Sequence, residues 1–312
     1  MKIIITAFIL TLILINPCNA NEKNFEIFSD TNWINESVQS NKIDNISLST
    51  TSIELFNSNN NFIAKGTGFF FVTEKDEPQL FLVTNKHNLL TPAKKPLEKL
   101  TFYCHKDPSK PEDIKFITLP LITKKKETTW ILNKEHPDTD IAVIPIPDDF
   151  LTDCKIFAIS EKWTQTDLKL RPATDIVLVG YPQGNYNDEN RLPLWKKGSI
   201  ASDPSIDIFG KPAFIIDISA YKGNSGSPIF ATAYGAYETE DGIIKIGTVR
   251  KFLGIYSASG AIDEELNFVD KKTGKNIKLK STQALDLGFV WKAKELLNII
   301  NSIDYAEYEK RF

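Results

Sequence analysis

Tyr221-Lys222-Gly223-Asn224-Ser225-Gly226-Ser227-Pro228 is the stretch on which the reading of this chain turns. Ser225 stands between glycines at 223 and 226, and Pro228-Ile-Phe230 behind it reads as the start of a buried strand. A serine hydroxyl is a poor nucleophile until a base takes its proton and dipoles stabilise the oxyanion it creates. Glycines beside it let the backbone turn sharply, so that N–H groups can face a reacting carbonyl instead of a strand partner. The plain alternative is a Gly/Ser turn between two strands. A base and an orienting carboxylate elsewhere in the chain would decide between them.

Working outward, the first twenty residues stand apart. Lys2 is followed by the apolar run Ile3 to Ile15 and a short polar stretch ending Cys18-Asn19-Ala20. A charged start, an apolar middle and small residues before a cut describe a secretory signal peptide. Residues 1–20 are therefore read as a leader cleaved after Ala20, and the product as secreted or periplasmic. The run is shorter than the about 20 apolar residues a membrane span needs, and Pro17 fits a lipidated Cys18 poorly. No integral membrane segment is expected after cleavage. Loss of Lys2 takes the formal charge from −3 to −4, which offers no basic excess for nucleic acid or anionic lipid. Cys104 and Cys154 remain. In an oxidising compartment they can pair, but the sequence leaves both their pairing and the oligomeric state open.

Short β-branched or aromatic runs separated by Gly, Pro, Asn and Asp clusters set the rhythm of the rest. Ser52 to Phe56, the polar tip Asn57 to Asn61, and Phe62 to Phe71 predict a hairpin. Leu80 to Thr84, Leu100 to Tyr103, Phe116 to Leu121, Thr129 to Leu132, Ile141 to Ile146 and Ile156 to Ile159 continue the first set. Ser160 to about Thr174 is polar, without a clear period, and reads as a linker. A second set follows at Ile176 to Tyr181, Gly198 to Ser202, Ala213 to Ser219, Pro228 to Thr232, Ile243 to Val249, Phe252 to Ser257 and Leu285 to Val290. Trp291, Ala293, Leu296, Leu297, Ile299 and Ile300 trace a helical stripe over Trp291 to Ile303. Many short strands at this spacing predict an all-β fold of antiparallel barrels or a sandwich. The division expected is an N-terminal arm over 21–46, a first β unit over 47–160, a second over 161–290, and a C-terminal helix and tail over 291–312.

The chain has three histidines. His87 closes Leu82-Val-Thr-Asn-Lys-His87, at the rim of an apolar strand, where a ring can be partly buried and still accessible. Imidazole suits a general base because its ordinary pKa of about 6.5 lets it take and return a proton near neutral pH. His105, between Cys104 and a loop rich in Lys, Asp and Pro, reads as a surface residue. His136, in Lys134-Glu-His136-Pro-Asp-Thr-Asp140, also reads as exposed. Cys104-His105 with distant Cys154 has no metal-ligand spacing, and no metal or cofactor is expected. Asp140 opens Asp140-Ile-Ala-Val-Ile-Pro-Ile146, and a carboxylate at the head of so apolar a strand needs a partner. It either caps the strand or holds a histidine tautomer and stabilises its charge. Asp138 competes for that role, but the change from polar loop to apolar strand falls at Asp140.

Gly66-Thr-Gly68-Phe, Val83-Thr-Asn-Lys-His87, Asp140-Ile-Ala-Val and Gly223-Asn-Ser-Gly-Ser-Pro228, in that order, resemble a trypsin-like serine peptidase of the chymotrypsin fold. The resemblance is to the bacterial branch that includes glutamyl endopeptidases and periplasmic stress proteases. It spans about residues 47 to 260 and implies two antiparallel β-barrels of the chymotrypsin type, with the site in the cleft between them. It further implies His87 as general base, Asp140 as its orienting acid and Ser225 as nucleophile. The backbone N–H groups of Gly223 and Ser225 would form the oxyanion hole, and a polypeptide would be the substrate. Ser219 and Ala220 would lie near the base of the primary pocket, and Tyr256 to Ser259 (Tyr256, Ser257, Ala258, Ser259) at or beside the strand that pairs with substrate.

Two departures from the resemblance carry information. Asn224 replaces the Asp that digestive members pair with a newly cut N-terminal amine, so activation through such an ion pair is not expected. Asn88 stands where a cysteine commonly follows the histidine. Ser219 offers no charge with which to prefer Lys or Arg, and Tyr256 replaces the His that glutamyl members place before the substrate strand, so the preferred side chain stays open. Two other readings also stay open. One is an esterase using the same three residues, although Ser227 stands where a Gly-x-Ser-x-Gly elbow has its second glycine. The other is a catalytically silent binding module on a peptidase fold.

Overall fold

The computed structural model describes residues 25–27, 43–73, 79–107, 109–184, 189–269 and 276–311. The expected leader lies outside the described residues. Among the described residues no helix is long and apolar enough to cross a membrane.

The first sheet holds β1 (Phe25–Ile27), β2 (Thr50–Phe56), β3 (Phe62–Val72), β4 (Leu80–Thr84), β5 (Lys99–His105), β6 (Ile114–Pro120), β7 (Ala142–Pro145) and β8 (Ile156–Ser160). Its order is β1-β8-β3-β2-β5-β6, with β4 joining β3 to β7. The β2–β3 hairpin turns where the sequence predicts it: the Asn57 carboxamide oxygen accepts the N–H groups of Asn59 and Asn61, both at 3.0 Å, an Asx turn. The sheet curls until Lys155, just ahead of β8, bridges to His105 at the end of β5. Cys104 and Cys154 form a disulfide beside that bridge, with Cα atoms 6.0 Å apart, and so clip the seam of the curled sheet. The N-terminal arm contributes β1, parallel to β8 through Phe25↔Ile156.

The second unit contains β9 (Asp175–Gly180), β10 (Leu194–Ile200), β11 (Ala213–Asp217), β12 (Pro228–Ala233), β13 (Ala236–Glu238), β14 (Ile244–Ile246), β15 (Val249–Val269) and β16 (Asn276–Lys292). Six of them close a barrel in the order β10-β11-β16-β15-β12-β9, and β13 pairs with β14 outside it. Among the described residues, three helices flank the barrels: α1 (Asn45–Ser49), α2 (Ala293–Asn301) and α3 (Tyr305–Glu309).

Strand periodicity sorts the apolar side chains into three cores. Phe70, Val72, Leu80 and Leu82 point into the first barrel, and Leu178, Ile200, Phe214 and Ile229 into the second. The alternate residues, Phe69, Phe71, Phe81 and Val83, join Val179, Phe230, Phe252 and the α2 residues Leu296, Ile299 and Ile300 between the barrels. Successive strand residues face opposite sides, which is why Gly68-Phe-Phe-Phe-Val72 is apolar throughout: both of its faces are buried. The interlayer holds the barrels' relative position, and each fully buried Phe in it contributes about 1.5–3 kcal/mol.

Several expectations need correction. Thr129 to Leu132 makes only one rung, Ile131↔Val143, instead of a strand. Ile243 to Val249 yields β14, but Ile244 and Ile246 are 65% and 93% exposed, so its apolar residues are not core. The predicted linker carries a single 3₁₀ turn, Glu161–Thr164, with Trp163 packed into the interlayer. The C-terminal helix begins at Ala293 and not Trp291, because Trp291 still pairs with Ala213 and Ile255. His105 is 3% exposed. β5 runs through it to the Lys155 bridge, and its Nε2 lies 3.0 Å from the Asn190 carbonyl. Burial lowers its pKa, partly offset by that carbonyl.

Candidate active site

Antiparallel pairing of β4 with β7 places Thr84 opposite Ala142, so the residues just after β4 meet those just before β7. A single 3₁₀ turn, Lys86–Leu89, lifts His87 off the end of β4, and its side chain is 49% exposed. Buried Asn85 ties the two ends together by donating to the Asp140 carbonyl at 2.7 Å. Asp140 Oδ1 accepts the His87 backbone N–H at 2.8 Å, and Oδ2 lies 2.6 Å from His87 Nδ1. Oδ2 also accepts the Ser257 hydroxyl at 2.6 Å. An ionised carboxylate only accepts, so the network assigns the ring proton to Nδ1 and leaves Nε2 free to accept.

Ser257 is the link to the second barrel. Register slips between Tyr256 and Ala258 on β15, and this bulge frees Ser257 from the ladder. Its side chain reaches Asp140, while its carbonyl accepts the Ser225 hydroxyl at 3.0 Å. Ser225 Oγ thus donates to Ser257 and makes no hydrogen bond to His87 among the described residues. The Ser225 carbonyl in turn accepts from the Thr67 N–H and from Asn88 Nδ2, both at 3.0 Å. His87, Asp140 and Ser225 are therefore brought together by the ends of β4 and β7 and the loop before β12.

The loop around Ser225 is fixed peptide by peptide. The Lys222 carbonyl accepts the Gln183 N–H, and the Asn224 carbonyl accepts the Ser227 N–H at 2.9 Å. In a trans peptide the carbonyl of one residue and the N–H of the next point opposite ways. These bonds therefore turn the Gly223 and Ser225 N–H groups away from the protein's own carbonyls, and neither donates to a partner among the described residues. Gly223 and Gly226 sit at φ +97° and +92°, a region glycine enters without penalty. A Cβ on Gly226 would lie 2.0 Å from the Thr67 carbonyl oxygen, so close approach of the barrels also requires that glycine.

Thr67, inside the quoted Gly66-Thr-Gly68, is the cross-barrel clamp that sequence reasoning missed. It is fully buried. Its Oγ1 donates to the Gly223 carbonyl at 2.7 Å and accepts the Tyr181 N–H at 3.0 Å, and its own carbonyl accepts Thr84 Oγ1 at 2.8 Å. The signal that could have found it is a Thr between two glycines leading into the apolar run Phe69 to Val72. Asn88 and Asn85 were likewise legible only as neighbours of His87.

The other predicted residues are placed as follows. Ser219 is exposed, and its hydroxyl lies 3.4 Å from the Tyr221 hydroxyl, whose ring has Lys196 Nζ 4.4 Å from its centroid. Ala220 is half-buried against the second barrel core. Ala258 is exposed and pairs with Phe289, and Ser259 pairs with Gly288. Tyr256 differs from expectation: its side chain is 2% exposed within the second barrel core. Its backbone instead holds the Ser225 loop, accepting from Gly226 at 3.0 Å and donating to Ser227 at 2.9 Å. His136 lies away from the site, with Nδ1 2.7 Å from Glu295 of α2. Among the described residues no group of three or more His, Cys, Asp or Glu is placed to hold a metal.

The trypsin-like peptidase domain family matches residues 66–236, more than half of the chain's 312 residues. The chain belongs to the trypsin-like peptidase family. It is a protease of the chymotrypsin-like fold, and a polypeptide is its substrate. No curated protein matches it by sequence. Among solved structures, the active form of the Rv3671c protease from M. tuberculosis is similar at 15% identity, with 93% of this chain and 94% of that one covered and a TM-score of 0.43.

Proposed function

We propose that this trypsin-like peptidase is an exported serine endopeptidase working through an acyl-enzyme, with His87, Asp140 and Ser225 as its triad. The observation that carries the reading is the shared Asp140 carboxylate. It holds His87 through Nδ1 and the backbone, and reaches Ser225 through Ser257, whose side chain binds Asp140 and whose carbonyl binds the nucleophile. Ser225 Oγ exchanges the Ser257 carbonyl for His87 Nε2, gives up its proton there and attacks the scissile carbonyl carbon. Asp140 stabilises the imidazolium that results. The tetrahedral oxyanion is met by the Gly223 and Ser225 N–H groups, already turned outward and unpaired, which spares reorganisation at the moment of reaction. His87 passes its proton to the leaving amine nitrogen as the C–N bond breaks, leaving Ser225 as an ester. Water then attacks that ester, gives a proton to His87, and releases the acid as the proton returns to Ser225.

Ser219 and Ala220 are assigned to the primary pocket, and Ser257 to Ser259 to the strand that pairs with substrate. Export rests on the leader pattern before Ala20 and on the Cys104–Cys154 disulfide, a bond that persists in oxidising compartments. The test is labelling with a fluorophosphonate probe, which reacts with an activated serine, beside cleavage of a mixed peptide library. Wild type should label and cleave, while Ser225→Ala does neither. Cleavage by Ser225→Ala at the wild-type rate refutes the mechanism. Ester turnover without peptide cleavage favours an esterase, and a wild type that neither labels nor cleaves favours a silent binding module.

A further inference from the structure

β15 has 21 residues and β16 has 17, yet the barrel uses only part of each. β12 pairs with β15 no further than Ile255, and β11 pairs with β16 only from Leu287 onward. From Ala261↔Ala284 to Val269↔Asn276 the two strands pair solely with each other among the described residues. At about 3.3 Å per residue, Ala261–Val269 carries this arm roughly 25–30 Å beyond the barrel.

The arm has one edge that begins at the candidate site. Within the barrel that edge of β15 is taken by β12. Past Ile255, Tyr256 bonds Gly226 and Ser227, and the Ser257 carbonyl takes the Ser225 hydroxyl. From Ala258 to Val269 no described strand pairs there. A long edge of this kind is a template for another chain unless it is blunted or occupied, and a lone two-stranded ribbon is only marginally stable in water. A polypeptide laid along it continues the row that β12 begins and, like β12, runs antiparallel to β15. With its cleaved bond at Ser225, the residues ahead of that bond then advance along the arm toward Val269.

We infer that the β15 edge of the arm is an extended binding track for the substrate segment preceding the cut. The inference rests on the endopeptidase reading above. Recognition is by main-chain hydrogen bonds of β-strand addition, so it favours extended, unfolded segments over short peptides or the tight loops of folded proteins. The substrate class is a chain able to present about eight or more residues in strand conformation ahead of the scissile bond.

The experiment uses quenched-fluorescent peptides with one cleavage sequence and 4, 8 or 12 residues before the cut, assayed on the full mature chain. Expected is a rise in kcat/KM of at least tenfold from the shortest to the longest, carried mainly by KM. Backbone N-methylation at alternate residues five to ten places before the cut should abolish most of that gain with no change to the protein. A variant with residues 262–283 replaced by Asn-Gly, a two-residue turn suited to the paired Ala261 and Ala284, should cleave the shortest peptide at the wild-type rate and gain nothing from length. Equal kcat/KM at all lengths overturns the inference, as does an N-methyl series without effect or an armless variant that keeps the length dependence. If no peptide is cleaved and no fluorophosphonate label is taken, the serine endopeptidase reading fails and the track falls with it.

Discussion

Thr67→Val removes one hydroxyl from the barrel interface while keeping the side-chain shape. The Thr67 backbone bonds, from its N–H to the Ser225 carbonyl and from Thr84 to its carbonyl, remain. What is lost is the donor to the Gly223 carbonyl and the acceptor for the Tyr181 N–H. The Tyr181 N–H is buried and Gly223 half-buried, so each stranded partner costs about 1–3 kcal/mol, or about 2–6 kcal/mol for the pair. At roughly 2–4 °C per kcal/mol, the conversion for chains of about 150–250 residues, the melting temperature should fall by about 4–24 °C. Catalysis should suffer separately. The Gly223 carbonyl is one of the anchors that keep the Ser225 loop in place; on the proposed mechanism this loop supplies the oxyanion donors, and losing one such donor costs about 10²–10³ in kcat. A loosened donor should therefore cost about 10–100-fold in kcat, with KM little changed. Thermal melting and steady-state cleavage of one peptide give both numbers, and Thr67→Ser should restore most of each. A Thr67→Val protein that melts within 1 °C of wild type and turns over at its rate would refute the clamp.

Ser257→Ala removes one of three donors from Asp140, a charge-assisted bond worth about 1.5–3 kcal/mol, so kcat should drop about tenfold while KM holds, read by steady-state kinetics. Reducing Cys104–Cys154, or changing both to Ser, releases a cross-link spanning 50 residues and should cost about 4 kcal/mol by the chain-entropy relation, read from denaturant midpoints. His136 has its pKa raised by its hydrogen bond to Glu295 and that carboxylate's charge. Its stabilising contribution is therefore complete below about pH 6.5 and lost as pH climbs through the raised folded value; melting curves from pH 5 to 9 should show this loss in wild type and not in His136→Gln. Phe69→Ala and Phe70→Ala should each cost about 3–5 kcal/mol. Only the former, which opens the layer between the barrels, should lower kcat in the folded protein.

The sequence carried the strands whose chemistry is unambiguous. Leu80 to Thr84 and Pro228 to Thr232 are continuous apolar runs bounded by polar residues, and they appear as β4 and β12 with one-residue differences at most. His87 and Asp140 were legible because each stands where an apolar strand meets a polar segment. His105 was misread for the opposite reason. Its sequence neighbours are polar, but the ladder of β5 continues through it and the β8 seam covers it. The arm was invisible because its strands carry Asp263-Glu264-Glu265 and Lys278 and Lys280, and charge at that density masks strand periodicity. The role of Ser257 depends on a register slip between Tyr256 and Ala258, which no local pattern announces.

The site's division between two barrels explains why so many of its hydrogen bonds involve residues with no part in bond making. His87 and Asp140 both stand on the first sheet beside the Thr84↔Ala142 rung, so the bonds between them do not run through the second barrel, which adds only the Ser257 donor to Asp140. Ser225 has no such rung. Its carbonyl is held across the barrels by Thr67 and Asn88, while its hydroxyl bonds Ser257 within the second barrel. A small rotation of one barrel against the other would leave the His87–Asp140 bonds intact and carry Ser225 away from them. The aromatic layer of Phe69, Phe230 and Phe252, with ring centroids 5.5–5.6 Å apart, resists that rotation, because close-packed side chains transmit displacement instead of absorbing it. On the proposed mechanism, positioning Ser225 is therefore a property of the interface between the barrels, and substitutions there should act on turnover even where no atom of His87, Asp140 or Ser225 is touched.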